Sequence, residues 1–342
     1  MSLPTRALPS AAPAGTGALP AASAILGMGT CVPDGLLTNA DLEAMVDTSD
    51  AWIMERTGIR TRHRAGTGET SASMGILAAR RALEQAGNPD VDLVLTATCT
   101  PDTLVPSTAS LIQRGLGLHG QPAMDVNAAC SGFVYGMRMA DSLVRSGAAR
   151  TVLLVTSEAM TSLVDYGDRS TCVLFGDGAA ATVVGAAPAE GGGLLASNWG
   201  ADGADAAMIY YGPSQDGQRP EDRLRMAGRG TYRLAVERLC HVAEQLCADA
   251  GWTLGDVDHV IPHQANLRII DAAAKRLGVP SERLVLNVAE MGNTSAASIP
   301  IALAEAVANG RISPGDRLLC VAFGAGSTWG GIALTWTAPC GV

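Results

Sequence analysis

In Pro122-Ala-Met-Asp-Val-Asn-Ala-Ala-Cys-Ser-Gly-Phe-Val-Tyr-Gly136 an apolar extended stretch stops at a cysteine, and an amphipathic helical pattern starts directly after it. The helical pattern runs from Ser131 to Gly147, where a glycine is placed to end a helix. Its apolar side carries Phe133, Met137, Ala140 and Val144, and its polar side carries Arg138, Asp141 and Arg145. The stretch therefore predicts a strand that feeds directly into a helix.

Cys130 stands at this predicted junction, which is a position where a thiol becomes a nucleophile. The backbone N–H groups of the first helical turn and the positive end of the helix dipole favour a thiolate over a thiol. We therefore expect the pKa of Cys130 to fall from about 8.5 towards neutrality. The alternative is a buried structural cysteine, which is the commoner role for a cysteine considered alone.

Short β-rich runs alternate with helical patterns along the rest of the chain. The predicted strands are 24–28, 91–98, 151–156, 180–184, 259–261, 284–288, 318–322 and 331–336. This alternation predicts an α/β protein with layered sheets and helices.

The two halves of the chain also echo each other. Asn88-Pro-Asp-Val-Asp-Leu-Val-Leu95 is matched by Leu254-Gly-Asp-Val-Asp-His-Val-Ile261, and Phe175-Gly-Asp-Gly-Ala179 is matched by Phe323-Gly-Ala-Gly-Ser327. The shared order of the two pairs favours an internal duplication over chance recurrence. We expect an N-terminal half over 23–190 and a C-terminal half over 191–342, after a tail over 1–22 whose Ala, Pro and Gly content is typical of disorder.

Composition narrows the class of protein. A hydrophobic fraction of 47% in 342 residues predicts extensive burial, and a net charge of −9 argues against a nucleic-acid binder or a membrane-surface protein. The eight cysteines form no C-x-x-C pair and the five histidines are not clustered near them, so neither a zinc site nor a disulfide framework is predicted. We expect reduced thiols, no membrane-spanning helix and a cytoplasmic location.

Two segments offer polar partners for Cys130. His263 lies between a predicted strand and a helix that begins near Asn266, which is where α/β folds place ligands. Asn293 lies among small residues that allow close backbone approach, and Thr294 or Ser295 is expected to cap the following helix. The structural alternatives are a satisfied histidine and a capped turn.

A glycine loop over 323–330 is the third partner, because its backbone N–H groups suit a developing oxyanion. Cys130, His263 and Asn293 each follow a strand-like segment, and together they supply a nucleophile and two hydrogen-bonding groups. Such a set is what covalent acyl chemistry requires.

Over about residues 24–337 the chain resembles the β-ketoacyl-acyl carrier protein synthase III family of the thiolase superfamily. The segments that follow the family pattern in order are Thr38-Asn-Ala-Asp-Leu-Glu43, Asp47-Thr-Ser-Asp-Ala-Trp-Ile53, Arg56-Thr-Gly-Ile-Arg60, Ala128-Ala-Cys-Ser-Gly-Phe133, Phe175-Gly-Asp-Gly-Ala179, Pro262-His-Gln-Ala-Asn-Leu-Arg-Ile-Ile270, Gly292-Asn-Thr-Ser-Ala-Ala-Ser298 and Thr328-Trp-Gly330. The resemblance implies two duplicated halves in a layered αβαβα arrangement.

The resemblance also implies the reaction. Cys130 would take an acyl group from an acyl-CoA primer and condense it with malonyl-acyl carrier protein as carbon dioxide is lost, which initiates fatty acid or polyketide synthesis without a metal or other cofactor. His263 and Asn293 would bind the malonyl thioester oxygen. The oxyanion hole would use the backbone N–H groups of Cys130 and Ala325; other members carry glycine at the second position, so a positive φ at Ala325 would be strained.

The binding residues are likewise implied by the resemblance. CoA would contact Trp52, Arg56, Thr57, Arg169, Gly228, Arg229 and Asn266, and the acyl pocket would include Phe175 together with Val105 from the partner subunit of a homodimer. The small Val105 side chain favours a branched or longer primer. The acidic carrier protein would dock on Arg233, Arg268, Lys275 and Arg276.

The sequence is also compatible with other functions, to different degrees. A secondary-metabolism member of the family would transfer an acyl group to a small nucleophile without decarboxylation and would carry the same catalytic residues. A biosynthetic thiolase would need a second cysteine in the loop 323–330, which contains none. A catalytically silent scaffold would have no chemical need for Cys130, His263 and Asn293 together.

Overall fold

The computed structural model describes residues 19–189, 191–212 and 223–337, so most of the predicted tail lies outside the described residues. The strands are β1 (Ser23–Cys31), β2 (Leu36–Thr38), β3 (Thr61–His63), β4 (Leu93–Ala97), β5 (Ala123–Val126), β6 (Val152–Ala159), β7 (Asp177–Ala186), β8 (Gly193–Ala201), β9 (Ile209–Gly212), β10 (Arg223–Met226), β11 (His259–Pro262), β12 (Arg317–Gly324) and β13 (Thr328–Thr335). The α-helices are α1 (Asn39–Glu43), α2 (Asp50–Thr57), α3 (Ser71–Gln85), α4 (Thr108–Leu116), α5 (Gly132–Arg145), α6 (Gly228–Ala250), α7 (Leu267–Leu277), α8 (Val288–Met291) and α9 (Ser298–Ala308).

Two mixed sheets form the frame of the molecule. The first has the strand order β1-β7-β6-β4-β5 and the second has the order β11-β12-β13-β8. In the first sheet β4 runs parallel to β6, and β7 runs antiparallel to both β6 and β1. The second sheet repeats this pattern, because β11 is parallel to β12 and β13 is antiparallel to both β12 and β8. Each predicted half supplies one sheet, although the boundary at 190 stays a prediction.

The predicted strand 284–288 is wrong. Leu284 makes one isolated parallel bridge to Val260, and α8 begins at Val288. The Val285 N–H still donates to the Val260 carbonyl at 2.9 Å, but the Asn287 N–H donates to the Gln264 side chain at 3.1 Å. The ladder ends for this reason, and the described part of the second sheet has no counterpart of β5.

Helices cover both outer faces and fill the space between the sheets. α3 packs on the first sheet, α6 packs on the second, and α5 contacts strands of both. One apolar core joins α5 and α9 to the two sheets, with Phe133, Leu154, Ile299 and Ile332 nearly or fully buried. This is the αβαβα arrangement, so the predicted fold class is confirmed. In the described part of the chain, every helix is too short or too polar to span a membrane.

The position of α5 between the sheets corrects one expectation about its polar side. Asp141 is buried and accepts a 2.8 Å hydrogen bond from the Ser23 hydroxyl, although the sequence pattern placed it towards solvent. A helix with a sheet on each side has a narrow exposed face. The buried carboxylate is therefore satisfied by a neighbouring strand.

Candidate active site

The catalytic candidates share one cavity of about 840 Å³. Cys130, His263, Asn293 and Ala325 all line it. Cys130 lies in a single 3₁₀ turn between β5 and α5, and His263 follows the last residue of β11. Asn293 follows α8, so the expectation that it follows a strand is wrong. Separate loops from both halves thus converge on one space.

The loops around this cavity hold residues in an unusual backbone conformation. Among the described non-glycine residues with positive φ are Ala129 at 46°, Ser295 at 49° and Ser327 at 47°. Ala129 precedes Cys130, and Ser295 and Ser327 lie two residues after Asn293 and Ala325. A non-glycine residue in this region costs about 1–3 kcal/mol and persists where the surrounding structure fixes it. The strain is therefore concentrated at the site.

The loop at Ala325 accommodates alanine without strain. In this loop Gly326 has a positive φ of 73°. Ala325 is not among the described residues with positive φ. The preceding Gly324 lies so close to the nucleophile loop that an added Cβ would stand 2.8 Å from the Cys130 nitrogen. Neither the Cys130 nor the Ala325 N–H has an acceptor in the described part of the chain. Both are therefore free to bind a substrate oxygen.

The expected lowering of the Cys130 pKa is wrong for the unliganded protein. Burial raises the pKa of this thiol to about 12, and the neighbouring Glu158 carboxylate adds to the rise. The Ser295 hydroxyl opposes the rise but does not reverse it. Taking the thiolate out of water costs more than the helix dipole returns. Cys130 therefore rests as a thiol.

His263 is a hydrogen-bond donor rather than an acid in this site. Burial lowers the pKa of its imidazole to about 3, so the ring is neutral. Its Nδ1 lies 2.6 Å from the Ser298 Oγ, which also accepts the Gln264 N–H at 3.3 Å. Among the described contacts, the Ser298 O–H has the Nδ1 of His263 as its acceptor. This arrangement leaves the proton on Nε2.

Asn293 is fixed in the same way by its own loop. Its Oδ1 accepts the Ser295 N–H at 2.8 Å, which leaves the amide NH₂ as the free end of the side chain. Its backbone N–H donates to the Leu174 carbonyl at 2.8 Å, and its carbonyl accepts the Gly176 N–H at 3.1 Å. Neither Thr294 nor Ser295 caps the following helix, which corrects that expectation. The Ser295 side chain lines the cavity.

Comparison with known proteins identifies the family. Models described as 3-oxoacyl-[acyl-carrier-protein] synthase III match residues 124–203 and, for the C-terminal part, 247–336. A curated β-ketoacyl-[acyl-carrier-protein] synthase III from Rhizorhabdus wittichii is 45% identical over 314 residues, which cover 91% of this chain and 98% of that protein. The chain belongs to the β-ketoacyl-[acyl-carrier-protein] synthase III family. The predicted resemblance is thus confirmed.

Solved structures agree with this assignment. The 3-oxoacyl-[acyl-carrier-protein] synthase III of Aquifex aeolicus is 43% identical with a TM-score of 0.87, and the match covers 92% of this chain and all of that one. The priming β-ketosynthase of the R1128 polyketide pathway is 38% identical with a TM-score of 0.89, over 96% of this chain and all of that one.

The residues that the family resemblance assigned to CoA all line the same cavity. They are Trp52, Arg56, Thr57, Arg169, Gly228, Arg229 and Asn266. The Trp52 ring has the Arg169 guanidinium 5.1 Å from its centroid and that of Arg56 at 5.8 Å. Asn266 caps α7 and donates from its side chain to the Arg56 carbonyl at 3.0 Å, which ties α7 to α2. An aromatic ring beside two cations suits a nucleotide.

Of the four basic residues predicted to dock the carrier protein, one lines the cavity and three lie on the outer surface. Arg268 lines the cavity and lies 5.9 Å from the Tyr232 ring centroid. Arg233, Lys275 and Arg276 are exposed and do not line it. Because Arg268 and Lys275 are seven residues apart on α7, they share a face. The helix that follows the His263 loop therefore presents positive charge beside the cavity.

The two predicted acyl-pocket residues differ in burial and in position relative to the cavity. Phe175 is buried and lines the cavity. Val105 is 80% exposed and does not line the cavity of its own chain. Its assignment to a partner's pocket stays a prediction.

Several residues of the cavity and its surroundings carry no motif that singled them out in the sequence. Cys99 at the end of β4 places a second thiol in the cavity, and Ser295 lines it as well. Glu158 near the end of β6 lies behind Cys99. Their position at the ends of predicted strands is the sequence signal by which Cys99 and Glu158 could have been identified. The seven described cysteines are free, and the described residues include no cluster of three His, Cys, Asp or Glu that could hold a metal.

Proposed function

We propose that this chain catalyses the decarboxylating condensation of an acyl-CoA primer with malonyl-acyl carrier protein to give a 3-oxoacyl-acyl carrier protein. The observation that carries the proposal is the convergence of Cys130, His263 and Asn293 in one cavity that the CoA candidates also line. Membership in the synthase III family supports the same reaction.

The first half-reaction is acyl transfer. The acyl carbonyl of the primer sits with its oxygen at the N–H groups of Cys130 and Ala325, and the sulfur of Cys130 attacks the carbon. Both N–H groups lack an acceptor among the described contacts, so they are available to the oxyanion. The product is an acyl-cysteine, and CoA leaves as its thiol.

The second half-reaction is decarboxylation and condensation. The Nε2–H of His263 and the amide NH₂ of Asn293 donate to the malonyl thioester oxygen, where charge develops as carbon dioxide leaves. Two donors held by Ser298 and by the Ser295 N–H require little reorganisation. The resulting carbanion attacks the acyl-cysteine, and Cys130 leaves.

Features of the surface support the proposed partners. Arg233, Arg268, Lys275 and Arg276 form the proposed docking surface for an acidic carrier protein. We also propose a homodimer, supported by the exposed Val105 and by β5, which pairs with β4 as an edge strand of its sheet. The free thiols suit a reducing compartment such as the cytoplasm.

Two measurements test the proposal. Incubation with labelled acyl-CoA followed by mass spectrometry should place the acyl group on Cys130, and a Cys130→Ala variant should take none. Labelled carbon dioxide should then be released from malonyl-acyl carrier protein. Acylation with release of the acyl group to a small nucleophile, and without carbon dioxide, would instead establish the non-decarboxylating acyltransferase.

A further inference from the structure

Arg62 is a fully buried arginine. It stands in the middle of β3 and has no exposed surface. Burial lowers the pKa of its guanidinium to about 10, so the group still carries its charge at neutral pH. It forms no ion pair within the described part of the chain. Taking a charge out of water without an anionic partner is costly, so the hydrogen bonds of Arg62 have to compensate for it.

The guanidinium of Arg62 donates to three acceptors that are remote from one another in sequence. Its Nη2 donates to the Val173 carbonyl at 2.7 Å. Its Nη1 donates to the Asn39 Oδ1 at 2.8 Å and to the Leu37 carbonyl at 3.3 Å. A planar fork of N–H groups holds such a set of acceptors at once, which a single ammonium group does not. Arg62 therefore ties the backbone at Val173 to the start of α1.

The segment that follows Val173 pairs with the backbone of Asn293. The Leu174 carbonyl accepts the Asn293 N–H at 2.8 Å, and the Gly176 N–H donates to the Asn293 carbonyl at 3.1 Å. These two bonds form an isolated parallel bridge between Phe175 and Asn293. The guanidinium thus holds the segment that fixes the backbone from which the Asn293 amide projects.

The aliphatic part of Arg62 packs against both strands of this bridge. A Cβ added at Gly176 would stand 3.1 Å from the Arg62 Cβ, and one added at Gly292 would stand 3.0 Å from it. The neighbouring Thr61 hydroxyl donates to the Glu290 carbonyl in α8 at 2.9 Å. β3 therefore contacts the backbone on both sides of the bridge.

We propose that Arg62 is a positioning residue that fixes the amide of Asn293 for the decarboxylation step. This inference rests on the proposed function and deepens its second half-reaction. Arg62 does not line the cavity, so it acts through Val173 and the bridge rather than on the substrate. A donor displaced by about 1 Å can cost about 100-fold in rate, which makes such a clamp significant for catalysis.

Arg62→Lys tests the clamp, because lysine keeps the charge and loses the fork. Carbon dioxide release at saturating malonyl-acyl carrier protein should fall by about tenfold or more, since the Asn293 amide is no longer held. Acylation of Cys130 at saturating acyl-CoA should change little. The hydrogen bonds described for Arg62 do not reach the loops that carry Cys130 and Ala325.

Arg283→Lys is the matched control. Arg283 also donates to three backbone carbonyls, those of Leu254, Gly255 and Val257, and it does not line the cavity. Both half-reactions should keep the parent rate in this variant. A fall in carbon dioxide release as large as that of Arg62→Lys would show a general effect of losing an arginine fork.

A double-mutant cycle distinguishes positioning of Asn293 from a structural loss. In an Asn293→Ala background, Arg62→Lys should cause no further fall in carbon dioxide release, because the donor that it places is already absent. A further fall of the same size, or an equal fall in the two half-reactions of the single variant, would refute the assigned role.

Arg62→Met covers the case in which Arg62→Lys does not fold. An apolar side chain of similar length avoids burying a charge, and such replacements of buried ionic groups are often tolerated. The same selective fall in carbon dioxide release is expected in this variant. A folded Arg62→Met enzyme with the parent rate would overturn the proposal.

Hydrogen exchange followed by mass spectrometry reads the clamp without any substrate. Peptides that contain the N–H groups of Gly176 and Asn293 should exchange faster in Arg62→Lys than in the parent, while peptides of α5 keep their protection. Unchanged exchange at both positions would refute the clamp. A parent enzyme that releases no carbon dioxide would instead refute the proposed function, and the exchange result would still decide whether Arg62 holds Asn293.

Discussion

At Cys130 two effects of different size act on the same sulfur. A helix N-terminus stabilises a nearby anion by about 0.3–1 kcal/mol, and by up to about 2 kcal/mol in favourable partly buried geometries. The rise of the pKa from 9.0 to about 12 corresponds to about 4 kcal/mol against the thiolate. Burial therefore outweighs the dipole in the unliganded site.

At the same scale, His263→Ala separates the two half-reactions. We expect labelled acyl groups to reach Cys130 at close to the normal rate, because His263 does not bond to the thiol. Carbon dioxide release from malonyl-acyl carrier protein should fall by about 10²–10³-fold, since one oxyanion donor is lost. An equal loss in both assays would contradict the role assigned to His263.

Ser298→Ala tests how the imidazole is held. Without the hydroxyl at 2.6 Å, Nδ1 competes with Nε2 for the proton, and the ring loses its orientation. Loss of one hydrogen bond of about 1 kcal/mol predicts about a fivefold fall in carbon dioxide release. The rate of Cys130 acylation serves as the internal control and should stay the same.

At the scale of elements, the site depends on how closely loops from the two halves approach. β12 ends at Gly324 against the turn that carries Cys130, and β11 ends beside His263. The positive φ values at Ala129, Ser295 and Ser327 turn these loops back into the cavity. Short loops under such constraint hold donors in place before substrate arrives.

Gly324→Ala is expected to disrupt acyl transfer. The added Cβ would stand 2.8 Å from the Cys130 nitrogen and 3.1 Å from the Ser131 nitrogen, so the two loops must separate. We expect Cys130 acylation to fall by at least about tenfold, the order of effect expected when reacting groups are displaced. Gly203→Ala is the matched control, since its added Cβ meets nothing within 4 Å. Equal acylation in both variants would show that the approach is not needed.

At the scale of the whole molecule, the cavity lies where the two halves meet. The first half contributes Trp52, Arg169 and Cys130, and the second contributes His263 and Asn266. The αβαβα layers place the ends of both sheets around one space. The proposed docking surface, with Arg233 on α6 and its other three residues on α7, reaches this cavity at Arg268, so carrier protein and CoA are expected to approach from one side.

Trp52→Ala tests the CoA end of the cavity. Loss of stacking worth about 1–3 kcal/mol per base predicts a KM for acyl-CoA about 5- to 150-fold higher, with a small change in kcat. Trp252→Ala is the matched control, because Trp252 also pairs with an arginine, Arg317 at 5.5 Å, but does not line the cavity. A comparable KM increase in both variants would contradict the assignment of Trp52 to CoA binding.

Charge reversal tests the docking surface. Lys275→Glu with Arg276→Glu should raise the KM for malonyl-acyl carrier protein by about tenfold or more and make it less dependent on salt. The KM for acyl-CoA, measured by Cys130 acylation, should not change because neither residue lines the cavity. A parallel rise in both KM values would indicate a general loss of folding.

The sequence by itself determined the family and the α/β layers, because motif order and local pattern are properties of neighbouring residues. It also singled out Cys130, His263, Asn293 and Ala325, which line one cavity. It failed for the strand at 284–288, where the backbone bonds to the distant Gln264 side chain. Only the tertiary structure decided the protonation of Cys130 and the grouping of Cys99 with Glu158 and Ser295. Burial and the distances between residues remote in sequence set pKa values and side-chain contacts, and folding alone brings such residues together.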